Sequence, residues 1–296
     1  MEEVPISTIQ IGDMIEVRAG EKIPVDGVVT QAESFMTPDA AYVDEAMISG
    51  EPTPAMKKAG DNVLAGTIPS QGKLRMRANG CGKSTLFSLM TKNLTPNQGK
   101  VFLHGKNIRN LKLSEFARKV SIVHQYNQAA DDITVERLVS YGRTPYMKLM
   151  GGKSEEDERL IDHAIKVTGL DEFRNREISK LSGGQRQRVF IAMALAQNTK
   201  ILFLDEPTTY LDIRYQLDIL RLVQKLNRDY QITIVMVLHE INQAIHFSDE
   251  IIGLKDGKVL VLGDPNEVIT TESISELYDV KLNVADIDGQ KFVLTV

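Results

Sequence analysis

The chain is 296 residues long and 42% hydrophobic, enough for one large core or two of ordinary size, which makes it globular. Its formal net charge of -5, with lysine and arginine spread along the chain, gives no electrostatic reason to expect a nucleic acid partner, and its single cysteine, Cys81, excludes an internal disulfide and suits a reducing compartment. The opening MEEVPISTIQ is acidic where an export signal is basic, and the longest apolar runs, VFIAMALA and ITIVMVL, hold 8 and 7 residues against roughly 20 for a membrane span, so the sequence points to a cytoplasmic chain that cannot cross a bilayer unaided.

From Val4 to Met76 the apolar residues come in short alternating runs, DMIEV, VDGVV, NVLAG and GKLRM, separated by Gly and Pro. A period of two predicts short strands and a small β domain. After Gly82 the period lengthens to helical spacing and then alternates helix with strand, through KSTLFSLMTKN, KVFLHG, GGQRQRVFIAMALAQ, KILFLD, IRYQLDILRLVQKLNRD and QITIVMVLH. That alternation predicts an α/β unit with a mainly parallel sheet. Asp256-Gly257 and Asp288-Gly289 lie between apolar runs and predict two hairpins near the C-terminus.

The stretch KLRMRANGCGKSTL, Lys73 to Leu86, ends in most of a phosphate-binding loop, but the first glycine of G-x-x-x-x-G-K-[ST] is replaced by Arg77. Within NGCGKST the backbone amides of Asn79, Gly80, Cys81 and Gly82 would wrap a triphosphate, Lys83 would reach its β and γ phosphates, and Ser84 would offer a hydroxyl to magnesium. KILFLDEP follows from Lys200: an apolar strand ending in Asp205, suited to holding magnesium through water, and then Glu206, suited to polarising an attacking water. Two adjacent acids could also merely cap a strand. LSGGQRQRV, from Leu181, is a small-residue turn opening a helix, whose free amides would face an anion; a capping turn accounts for Ser182 and the glycines nearly as well. Gln125 after KVSIV, the YLD ending in Asp212, and His239 after ITIVMVL complete the order.

Taken together these motifs, from Asn79 onward, resemble the ATPase subunit of ABC transporters, and RTPYMKLMGGKSEEDE and DEPTTYLDIRYQLDIL resemble the ATPases of bacterial importers for iron siderophores and related metal chelates. The resemblance implies a P-loop NTPase core that uses ATP and Mg2+. It implies that Lys83, Ser84 and Thr85 hold phosphate and metal, that Asp205 supports the metal, and that Gln125 senses magnesium and the transport partner. Glu206 would be the general base, His239 the γ-phosphate switch and Asp212 a contact across a dimer. Ser182, Gly183, Gly184 and Gln185 would grip the nucleotide on the P-loop of a second copy, and a helical insert over about 130–180 would dock on transmembrane permease subunits at the inner face of the membrane. The other histidines, His104, His124, His163 and His246, have no metal-ligand spacing.

The first part, over about residues 4–78, resembles the actuator domain of heavy-metal P-type ATPases, through VPISTIQIGDMIEVRAGEKIPVDGVV, YVDEAMISGEPTP and GDNVLAGT. The family's TGE stands as Ser49-Gly50-Glu51, but the chain has no DKTGT segment to be phosphorylated, so Glu51 finds no substrate within it. Lys73 to Leu86 thus reads as the seam of two domains, 1–78 and 79–296. Arg77-Ala78 stand at the ABC family's Gly-Pro, the family's upstream strands are missing, and no aromatic lies between Tyr42 and Phe87 to stack on adenine, a contact worth about 1–3 kcal/mol. Lys73 to Arg77 is expected to supply the strand leading into the P-loop. The leading reading is an importer ATPase joined to an actuator-like module; the alternative is a non-catalytic fusion that binds nucleotide weakly or not at all.

Overall fold

The computed structural model describes residues 12–25, 27–35, 37–44, 53–63, 67–78, 82–125, 127, 129–130, 132–147 and 152–294. Its chain contacts fall into two units. One comprises Met1–Ser84, Ile252–Gly263 and Glu267–Lys281; the other comprises Thr85–Ile251, Asp264–Asn266 and Leu282–Val296.

The first unit holds a four-stranded antiparallel sheet in which Lys73–Ala78 lies between Met14–Arg18 and Gly27–Glu33, with Asn62–Val63 at one edge. A three-stranded sheet places Ala41–Asp44 between Ala55–Lys57 and Ile68–Gln71. Alternation does what the sequence pattern predicts: Val17, Val29, Val43, Leu74 and Met76 turn inward and make one core with Ile23, Ala32, Ala41 and Val63. The expected small β unit is present.

The seam strand departs from expectation. Lys73–Ala78 pairs with Met14–Arg18 on one side and Gly27–Glu33 on the other, both within the first unit. Its residues explain the choice. Leu74, Met76 and Ala78 form one buried face while Lys73, Arg75 and Arg77 form the other. A sheet solvated on one side accepts that pattern, whereas an inner strand of a parallel sheet needs apolar residues on both faces. Arg75 is held by Glu16 at 3.0 Å and Lys73 by Glu33 at 2.8 Å, which fixes the polar face.

In the second unit three parallel strands, Val120–Val123, Ile201–Asp205 and Thr233–Val237, stand side by side with Ile201–Asp205 in the middle. Leu202, Phe203 and Leu204 are all buried, as a strand covered on both faces requires. Phe203 packs edge-on against Phe87, with ring centroids 5.5 Å apart. The helices Gly183–Ala196 and Ile213–Tyr230 put Val189, Ile191, Ile219, Leu222 and Leu226 into the same core as Leu202 and Leu204. The expected helical insert is seen in Val135–Ser140, the 3-10 turn Tyr141–Tyr146 and Glu155–Val167. Both Asp-Gly hairpins form: Asp256 and Gly257, and Asp288 and Gly289, all take positive φ, the condition for the tight turn that matches strand twist. A third hairpin, turning at His104-Gly105, was not signalled by any Asn-Gly or Asp-Gly pair. No helix among the described residues is long and apolar enough to cross a membrane.

Candidate functional site

Three parallel strands end on one edge of the sheet, and the polar residues that follow them are carried to that edge together. Val123 is in register with Leu204, and Asp205 with Val237. Gln125, Glu206 and His239 come one or two residues after these strand ends. In open α/β sheets this is the edge where ligands bind.

Glu206 is the hub. One carboxylate oxygen, Oε2, accepts from Gln125 Nε2 and, at 3.1 Å, from the Thr209 hydroxyl, while Oε1 meets His239 Nε2. The Glu206 side chain is 8% exposed and that of His239 is 54% exposed, so a nearly buried carboxylate is linked to water through an open imidazole. Glu206 itself has φ 48°, a left-handed conformation costing about 1 kcal/mol or more for a side chain with a Cβ. Such an arrangement can hold a water and take its proton. Asp205 ends the middle strand just before it.

Ser182 and Gln185 form a reciprocal cap. The Gln185 amide donates to Ser182 Oγ at 3.3 Å, and the Ser182 amide donates to Gln185 Oε1 at 2.9 Å. Both readings of LSGGQ therefore meet in one structure: the cap orders the turn, and the amides of Gly183 and Gly184 open the helix. Gly184 has a packing reason as well, since a Cβ there would lie 2.8 Å from the Tyr215 ring. Asp212 is exposed at the N-cap of Ile213–Tyr230 and makes no side-chain capping bond.

Gly82 takes φ +88°, which only glycine adopts freely, and the helix Lys83–Met90 begins immediately after it. Ser84 and Thr85 are exposed and Lys83 is partly buried in that first turn. Asn79, Gly80 and Cys81, like Glu51, lie outside the described residues. Just before them, the Ala78 amide donates to the Asp13 carbonyl and its own carbonyl accepts from Gly12, both at 2.9 Å. At this end of the motif, then, the backbone belongs to a β ladder.

Sequence reading named every residue of the Glu206 cluster except Thr209. Its signal is a hydroxyl three residues after a glutamate in Glu-Pro-Thr-Thr, a pattern suited to a turn closed back on its first residue.

Comparison with known proteins bears on this arrangement. The family model for ABC transporters matches residues 76–209, and that for the P-type ATPase actuator domain matches residues 1–95. The iron(3+)-hydroxamate import ATP-binding protein of Bacillus subtilis is 44% identical over 206 residues, spanning 70% of this chain and 77% of that protein. The petrobactin import ATP-binding protein of Bacillus anthracis is 42% identical over 206 residues, with 70% and 76% covered. The ferric enterobactin transport ATP-binding protein of Escherichia coli is 41% identical over 208 residues, with 70% and 77% covered. Among solved structures, an inward-facing transporter described as of metal-chelate type is similar with a TM-score of 0.63 and 27% identity, covering 73% of this chain and 82% of that one. A dimeric ATP-binding cassette in a post-hydrolysis state, bound to ADP and phosphate, is similar with a TM-score of 0.54 and 32% identity, covering 62% and 81%.

Proposed function

The chain belongs to the ABC transporter family, and on that premise we propose that it is the ATP-hydrolysing subunit of an importer for ferric siderophores or related metal chelates. The observation that carries the reading is the Glu206 carboxylate, enclosed at the edge of the parallel sheet and touched by both Gln125 and His239. Glu206 takes the proton from the attacking water, and His239 follows the γ-phosphate from the same carboxylate. Lys83 and Thr85 hold phosphate at the start of their helix, where free amides favour an anion.

The residues available suit magnesium. Because a carboxylate only accepts, the Gln125 amide turns its NH2 to Glu206 and its carbonyl oxygen away from it. That oxygen, the Asp205 carboxylate and the Ser84 hydroxyl are hard oxygen donors of the kind Mg2+ takes. When bound, the ion neutralises charge on the phosphates. Ser182, Gly183, Gly184, Gln185 and Asp212 act toward a second copy, so the working unit is a homodimer, placed on permease subunits at the inner face of the cell membrane through the insert at about 130–180. The domain boundary lies near residue 78. The first unit, similar in sequence to an actuator domain, acts as a structural module, since the chain lacks the DKTGT segment whose phosphoaspartate Glu51 would serve.

One observation favours a second reading, a fusion that binds nucleotide weakly and hydrolyses none: the Ala78 amide is committed to Asp13 and is not available to phosphate. Titrating ATP into the purified chain, with and without magnesium, separates the two. The importer reading expects magnesium-dependent binding and turnover. An absence of binding at millimolar ATP would select the fusion.

A further inference from the structure

The turn that carries Glu206 is closed twice by the same residue. The Thr209 amide donates to the Glu206 carbonyl at 3.3 Å, and the Thr209 hydroxyl donates to Glu206 Oε2 at 3.1 Å. Pro207, between them, has the fixed φ that suits the second position of such a turn. The turn needs closing, because Glu206 and Tyr210 both sit at positive φ, 48° and 63°, without being glycine. A second tether comes from the neighbouring residue. The Thr208 hydroxyl, almost fully buried, donates to Gln243 Oε1 at 3.4 Å, and Gln243 Nε2 donates to Gln216 Oε1 at 2.7 Å. Gln243 lies on the short helix Ile241–Phe247, which begins two residues after His239. The Glu206 turn and the helix after His239 are thereby held to one another.

From this geometry we infer that Thr209 is a positioning residue for hydrolysis: its hydroxyl fixes the Glu206 carboxylate in the rotamer that faces Gln125 and His239. The inference rests on Glu206 being the general base. A carboxylate on a left-handed residue, with one face open through His239, has several rotamers available; of its three donors among the described residues, Thr209 is the one built into its own turn. Removing the hydroxyl leaves the shape of the turn to the backbone bond and frees the carboxylate. The hydroxyl is spent on the Glu206 carboxylate, so its loss acts on turnover through Glu206 and leaves nucleotide affinity alone.

The test compares Thr209→Val, which keeps the branched shape, and Thr209→Ser, which keeps the hydroxyl, each alone and combined with Glu206→Gln. Expected is a fall in kcat of roughly tenfold in Thr209→Val with KM for magnesium-ATP within about twofold, recovery in Thr209→Ser, and no further loss when Thr209→Val is added to Glu206→Gln. A Thr209→Val chain that turns over like the parent, or one that lowers the Glu206→Gln residue of activity by its full factor, overturns the inference. If Glu206→Gln itself leaves turnover unchanged, or the parent has none, it is the assignment of Glu206 that fails, and crystal structures then decide on Thr209. The carboxylate should leave Gln125 in Thr209→Val and return in Thr209→Ser; a carboxylate that stays in place in both refutes the positioning role.

Discussion

Arg143 ties the helical insert to its neighbours through three kinds of contact. Its Nε donates to Asp157 Oδ1 at 2.7 Å, its Nη1 donates to the Ala196 carbonyl at 3.0 Å, and its guanidinium stands 4.1 Å from the centre of the Tyr146 ring. It thus joins the insert to the end of the helix that LSGGQ begins, and it is buried. Burial would raise the Asp157 carboxyl, but bonds from the Ser154 amide and hydroxyl, and then from Arg143, more than offset this and lower it from 3.8 to about 2. Because the folded value is depressed, the stabilisation is present above pH 4 and is lost as pH falls from about 4 to about 2. We expect Asp157→Asn to cost on the order of 3 kcal/mol at pH 7, for it leaves a buried guanidinium unpaired, and to flatten the acid limb of stability between those two values. Urea unfolding across that pH range reads both. The local half of this network is legible in the sequence, since Ser154-x-x-Asp157 is a capping pattern before an apolar-periodic run. The other half is not: nothing in the sequence announces that Arg143 reaches Ala196.

At the level of elements, periodicity predicted the strands and helices well, while their partners depended on details it does not carry. Nothing in Gly-Arg-Thr-Pro-Tyr, from Gly142, signals a helix contact, yet Gly142 stands directly against the helix Gly183–Ala196: a Cβ there would lie 2.0 Å from the Met193 carbonyl oxygen. Backbone cannot yield as a side chain can. Gly142→Ala should therefore destabilise by about 3 kcal/mol, at the upper end of overpacking effects, and be seen as a lower urea midpoint with the slope unchanged. The seam strand teaches the same point in another way. Its alternation was readable, but sheet membership turned on Lys73, Arg75 and Arg77 being unable to face a core. Restoring the missing glycine should accordingly fail as a repair. Arg77→Gly puts a flexible residue next to the end of a strand paired on both sides, at a cost of up to about 1 kcal/mol, while the Ala78 amide stays with Asp13. ATP affinity, by titration calorimetry, should rise less than twofold.

For the whole molecule, the sequence yielded the family because the motifs follow in one order over more than a hundred residues, and order is preserved by any fold. It yielded less about assembly, since the surface that meets a partner need not be periodic. Two features nevertheless direct the expectation. The cap joining Ser182 to Gln185 presents a rigid helix start, and Asp212, Ile213 and Tyr210 form an exposed neighbouring stretch, with Ile213 76% and Tyr210 50% accessible. Large apolar side chains left this open beside a binding motif suit an interface. If the signature residues of one chain complete the site of another, the chain hydrolyses ATP as a dimer. Specific activity should then rise with protein concentration while monomers predominate and level off once they do not. Glu206→Gln, which retains hydrogen bonding but removes the base, should bind magnesium-ATP, lose turnover by roughly 10²-fold, and sediment as a dimer at concentrations where the parent is monomeric. Ser182→Arg should abolish that nucleotide-dependent dimer without weakening ATP binding to the monomer. A constant specific activity over a hundredfold range of concentration, with the parent monomeric throughout, would mean that one chain suffices and that the residues from Ser182 to Gln185 serve only to cap their helix.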